Sequence, residues 1–148
     1  MMQLVQRVRK TDLARNTRQV LRNVQRGRTA IIESHGQPEA AIVDIVDYLI
    51  VRAVMRYYSQ RPPIAIVAGL TDDQVAAVKD EQERYDLVMA HYLAGAISLS
   101  RAAELLDIAW VDLRARAVRL DVPLRTAPAD AAEAQADVEA ALNWSAEA

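Results

Sequence analysis

The chain has no cysteine and no phenylalanine, and only four glycines and two histidines in 148 residues. Without cysteine there are no disulfides, thiolate metal sites or cysteine nucleophiles. Four glycines leave no glycine-rich phosphate loop. His35 falls in an expected turn and His91 in an expected helix, with no regular spacing to other ligand-type residues. Both read as surface or packing residues. Asp72-Asp73 reads as a helix start rather than a metal pair, and Glu81, Glu83 and Asp86 as a solvated face. No metal, cofactor or catalytic role is expected. No apolar run reaches the roughly 18 residues of a membrane-spanning helix, and no stretch resembles a signal peptide. A soluble, cytoplasmic, non-enzymatic protein is the expectation.

Apolar residues make up 52% of the chain, enough to fold. They are aliphatic and rich in alanine, which buries little area per residue, so a small domain built from them gains from dimerisation. Charge is distributed unevenly. Residues 1–61 hold 11 Lys and Arg against 5 Asp and Glu, a net +6. Residues 62–148 hold 7 against 15, a net −8. A basic head and an acidic remainder point to two partners, one of them polyanionic.

Leu4 to Arg9 reads as a strand. Thr11 is placed to cap a helix, with Asp12 in its first turn. Leu13, Thr17, Val20, Leu21 and Val24 then recur on one helical face. Arg15, Arg18, Arg22 and Arg26 fall on the opposite face, and Gly27 sits where a glycine stops a helix. Thr29–Glu33 and Glu39–Val43 read as strands joined by a turn at Ser34-His35-Gly36-Gln37. Asp44 caps a second helix from Ile45 to about Tyr58, apolar over most of its circumference and in need of cover on more than one side. Pro62-Pro63 marks a boundary, with a brief apolar run at Ile64–Ala68. One helix is expected from Thr71-Asp72-Asp73 to about Leu93, ended by Gly95. Two short helices follow, Leu99–Leu106 and about Ala109–Leu120, before Pro123. Residues 128–148 are rich in alanine and acids, with marginal helicity through Val138 and Leu142.

The arginine stripe, with Arg7, Arg9 and Lys10, has almost no acidic neighbours in sequence. It is either a solvated face or a set of phosphate contacts, whose affinity would fall with salt. The order strand, capped helix, Asn23-Val24-Gln25-Arg26-Gly27, strand, Gly36-Gln37-Pro38, then Asp47-Tyr48-Leu49 opening a helix resembles the Phd/YefM-type antitoxins over about Leu4 to Tyr58. That resemblance implies a dimeric α+β head that binds operator DNA and a C-terminal segment that wraps a toxin. It places Arg7, Arg9, Arg15, Asn16 and Arg18 near DNA, and the basic stripe adds Lys10 and Arg22 as candidate phosphate contacts. Asn16 matches an asparagine often found there, and Asn can make bidentate contacts to adenine. Thr17 stands where the usual residue is Leu.

The run from Tyr92 to Leu106, with Gly95, Ile97-Ser98-Leu99 and Arg101-Ala102-Ala103-Glu104-Leu105-Leu106, is similar to the UPF0175 family over about Leu70 to Leu124. Two short helices about a tight turn, with Ala103 at their crossing, suggest a helix-turn-helix. Its second helix would offer Trp110, Asp112, Leu113, Arg114 and Arg116, with Arg114 and Arg116 as candidate DNA contacts. The acidic surroundings oppose that role, so packing against a protein remains the alternative. The tail is either solvated chain or a partner-binding segment anchored by Val138, Leu142 and Trp144. A PIN-domain RNase is the toxin that the UPF0175 resemblance implies.

The expected fold class is α+β: a β-α-β-β-α head over residues 1–61, a linker over 62–70, an all-helical helix-turn-helix module over 71–125 and an acidic toxin-binding tail over 126–148. The expected function is an antitoxin of a type II toxin–antitoxin system, a homodimer or higher oligomer that neutralises its toxin and represses its own operon. The alternatives are a stand-alone transcriptional regulator and an oligomeric scaffold.

Overall fold

A computed structural model describes residues 5–60, 66, 68–124, 135, 138, 139 and 141–143. The elements run β1 (Val5–Arg9), α1 (Lys10–Gln25), β2 (Thr29–Ser34), β3 (Gln37–Ile42), α2 (Ile45–Ser59), α3 (Asp72–Ala76), α4 (Glu81–Leu93), α5 (Leu99–Leu106) and α6 (Trp110–Arg119). The fold is α+β, with one three-stranded sheet. Compactness divides the chain into residues 1–48 and 49–148, a division that falls inside α2. The sign of the charge changes later, at residues 61–62.

In the first unit β2 is central, parallel to β1 and antiparallel to β3. Parallel neighbours need a crossover, and α1 supplies it. Alternation along the strands turns Ala30 and Ile32 onto Val20 and Val24 of α1, with Val8, Leu13 and Ile42 around them. Gln6 completes this layer. Its amide donates to the carbonyls of Val20 (3.1 Å) and Arg28 (3.3 Å), and its oxygen accepts from Asn23 (3.2 Å). The expected β2–β3 turn is a two-residue hairpin with positive φ at both His35 (53°) and Gly36 (75°), the geometry that matches strand twist. Near it the register slips: Ile32 faces Ala40 but Glu33 faces Pro38, which leaves Glu39 as the extra residue of a bulge.

The start of α1 differs from expectation. Lys10 is already helical, and Arg9 is the N-cap at φ −68°, ψ 140°, with no side-chain capping bond. Strand β1 runs straight into the helix, so the switch of conformation falls on Arg9 and leaves Thr11 inside the first turn. The stop is as expected. Gly27 takes φ 90°, its N–H donates to Val24 and the N–H of Arg28 donates to Asn23 (2.9 and 3.0 Å), satisfying two of the last carbonyls.

The Asp44 carboxylate accepts from the N–H groups of Val46 and Asp47 (3.0 and 3.4 Å) and so caps α2. In the second unit Leu49, Ile50 and Ala53 of α2 are buried. The single helix expected between Thr71 and Leu93 is two helices. Thr71 and Gln74 form a capping box at α3, and the Asp80 carboxylate accepts from the Glu83 N–H at 2.9 Å to start α4 afresh. A second strong cap within nine residues of the first breaks the periodic run. The core is filled by Tyr85, Val88 and Met89 of α4 and Leu113 of α6, among others. Arg101 ties the start of α5 to the chain before α3, donating to the Leu70 carbonyl (3.1 Å) and pairing with Asp72 (3.3 Å) and Glu104 (3.1 Å).

Helix α4 ends at Gly95 (φ 82°), whereas α5 and α6 end at left-handed aspartates, Asp107 (φ 56°) and Asp121 (φ 55°). Helix α6 therefore stops before Pro123. Between α5 and α6 lie only residues 107–109, and Ala102 and Ala103 are buried on α5. Most of the apolar run at 64–68, the proline pair and Trp144 lie outside the described residues. Gln135, Val138, Glu139 and residues 141–143 are helical, with Val138 and Leu142 exposed.

Candidate nucleic-acid interface

Helix α1 carries the strongest candidate. It is amphipathic because Val20 and Val24 recur four apart and bury against β2, which turns Arg18, Arg22 and Arg26 outward. Arg15, Asn16, Arg18 and Arg22 are all exposed, as is Arg26 at the C-cap. Among the described residues, no carboxylate lies within ion-pair distance of Arg15, Arg18, Arg22 or Arg26. Four cations on one helix without a carboxylate partner among the described residues create a positive local field that favours an anion.

The flanking cations are differently placed. Arg7 on β1 pairs with Glu33 on β2 at 2.6 Å, and Lys10 pairs with Glu39 on the bulge at 3.2 Å. For these two flanking cations, the scarcity of acids nearby in sequence is thus not a scarcity in space. Glu33 and Glu39 are the residues that sequence reasoning missed. The parallel pairing of β1 with β2 sets Arg7 opposite Ile31, so Glu33, two residues on, points to the same side of the sheet. Strand alternation carried that signal, but only once the strands were known to be neighbours.

Arg9 and Lys10 line an open cleft of about 510 Å³ with Thr11, Glu33, Ser34, His35 and Gly36. The structure therefore brings two cations, a histidine and the uncapped start of α1 to one place, with Glu33 opposing them.

The candidates on α6 divide. Arg114 is exposed and stacks over the Trp110 ring at 5.6 Å. Arg116 is mostly covered, with 14% of its side chain exposed, and its Nε donates to the Asp112 carboxylate at 3.0 Å. Arg116 is thus engaged by Asp112 of its own helix, while Arg114 is exposed. Val118, also on α6, is 61% exposed, one turn after the exposed Arg114.

Among the described residues no helix is long and apolar enough to cross a membrane, and no three His, Cys, Asp or Glu side chains come together as a metal site. Comparison of the chain with protein families, characterised proteins and solved structures finds no match.

Proposed function

We propose that this chain is a DNA-binding antitoxin: its N-terminal part is a Phd/YefM-like dimeric head that grips operator DNA, and its helical part and acidic tail bind a cognate toxin. The observation that carries the DNA half is the exposed face of α1 on which Arg15, Arg18, Arg22 and Arg26 stand without a carboxylate partner among the described residues. Phosphates supply the missing counter-charge, and each neutralised phosphate releases a condensed cation. The toxin half rests on the UPF0175-like run through Arg101–Leu106 and on Val138 and Leu142, apolar side chains left exposed beside acids. Inhibition is stoichiometric occlusion rather than turnover, and a basic RNase surface would suit the acidic tail.

A second reading, a stand-alone regulator that reads DNA through α5 and α6, is favoured by one observation. Only three residues separate those helices, and Ala102 and Ala103 are buried on α5, a pattern compatible with a helix-turn-helix. A toxin gene beside this one, or a small RNase that co-purifies, selects the antitoxin reading.

The deciding measurement is binding to the chain's own promoter across a salt series. The wild type should bind with an affinity that falls steeply with salt. Arg15→Glu with Arg18→Glu should abolish binding while the thermal midpoint stays put, because both side chains are exposed and have no ion-pair partner among the described residues. A salt-independent response sinks the DNA half, and a double variant that still binds moves the interface away from α1.

A further inference from the structure

Helix α1 is not one continuous helix. Asn16 takes φ −118°, ψ 21°, far from the helical ψ of about −42°. Sharp bends in helices arise at proline, at glycine or serine pairs, at π-bulges, or where a side chain enters the backbone ladder. Residues 10–25 contain no Pro, Gly or Ser. They do contain an intruding side chain: the Thr17 hydroxyl donates to the Leu13 carbonyl, one turn back, at 2.6 Å. Threonine back-bonds of this kind bend helices by occupying a carbonyl that the ladder otherwise uses.

The bend falls within the proposed interface. Arg15 precedes it, Arg18, Arg22 and Arg26 follow it, and Asn16 is the residue at the break, its side chain exposed. Thr17 itself is exposed, on the face opposite the stripe by helical spacing, with its hydroxyl committed to the helix backbone. We propose that Thr17 is a positioning residue for DNA recognition: through its bond to Leu13 it holds the break at Asn16, and the break sets the angle at which Arg15 and Asn16 meet the duplex relative to Arg18, Arg22 and Arg26. This rests on the DNA-binding reading of α1. It adds a division of labour, in which the segment after the break supplies phosphate contacts and the break aims the one short amide that can read a base edge.

The experiment compares the full-length wild type with Thr17→Val, which keeps the side-chain shape and removes the hydroxyl, and Thr17→Ser, which keeps the hydroxyl. Backbone carbon chemical shifts at Arg15–Thr17 report the break. Affinity at one salt concentration is measured for the promoter duplex and for an unrelated duplex of equal length. In Thr17→Val, the Asn16 shifts should move to helical values. Its promoter affinity should fall by at least about tenfold, the loss of one base contact. Its affinity for the unrelated duplex should change less than about twofold, since the arginines still reach phosphates. Thr17→Ser should restore both the break and the discrimination. The positioning role is overturned if Thr17→Val keeps the break, if it keeps wild-type discrimination, or if Thr17→Ser behaves as Thr17→Val does. If the wild type binds neither duplex, the DNA-binding reading itself fails and takes the positioning role with it, a result distinct from a wild type that discriminates and a Thr17→Val that does so equally well.

Discussion

Single residues carry two kinds of cost in this chain. Asp107 and Asp121 end α5 and α6 with φ near 55°, a conformation that crowds any Cβ. Each also sets a negative charge at the negative end of a helix. Glycine at either position relieves both costs. Asp107→Gly should stabilise the chain by roughly 0.5–1 kcal/mol, a rise of about 1–4 °C in the thermal midpoint. Asp107→Asn removes the charge alone and should recover only part of that gain. If the two variants are equally stabilised, charge rather than backbone is the cause. The other residue-scale cost falls on Arg7. Its pairing with Glu33 at 2.6 Å must open before Arg7 can reach a phosphate. An exposed pair of this kind is worth about 0.2–1 kcal/mol, and the Arg7 side chain is 75% exposed. Glu33→Gln should therefore raise promoter affinity by up to about fivefold, with a steeper salt dependence. Titration of both proteins across the same salt series checks this, and an unchanged affinity removes Arg7 from the interface.

At the scale of elements, what was legible in sequence was whatever a short window encodes. The stop at Gly27, the hairpin at His35-Gly36, the cap at Asp44 and both ends of α5 follow from local chemistry, and the structure has all five. The errors share a cause as well. Thr71 to Leu93 carries one helical pattern, and the break at residues 77–80 is set by Asp80, whose capping bond to Glu83 competes with continuing α3. Thr11 is a good cap by residue type, but β1 has no loop after it, so Arg9 takes the position without a capping side chain. The α1 stripe was legible because period and charge are local. Its bend was not, because threonine is common in helices and only the geometry shows its hydroxyl on Leu13. The pairs Arg7–Glu33 and Lys10–Glu39 were invisible for a different reason. Each joins residues 26 and 29 apart, and their proximity depends on which strands are neighbours and on a bulge that shifts Glu39.

For the whole molecule, the relevant quantity is the balance of charge between the ends of the chain. The net charge of −2 opposes approach to DNA at long range, although α1 attracts it at short range. Residues 126–148 contribute five acids, Asp130, Glu133, Asp137, Glu139 and Glu147, and no Lys or Arg. Removing them changes the net charge from −2 to +3. A chain ending at residue 125 should therefore bind promoter DNA more tightly than the full chain at low salt. The difference should shrink as the screening length falls from about 30 Å at 0.01 M to about 8 Å at 0.15 M. The proposed contacts at α1 are the same in both proteins, so their affinities should converge at high salt. The same truncation should lose toxin neutralisation, because Val138, Leu142 and Trp144 go with it. Retained neutralisation would move the toxin-binding surface into residues 71–125. A difference in DNA affinity that persists undiminished at high salt would show that the tail acts by contact rather than through its long-range field.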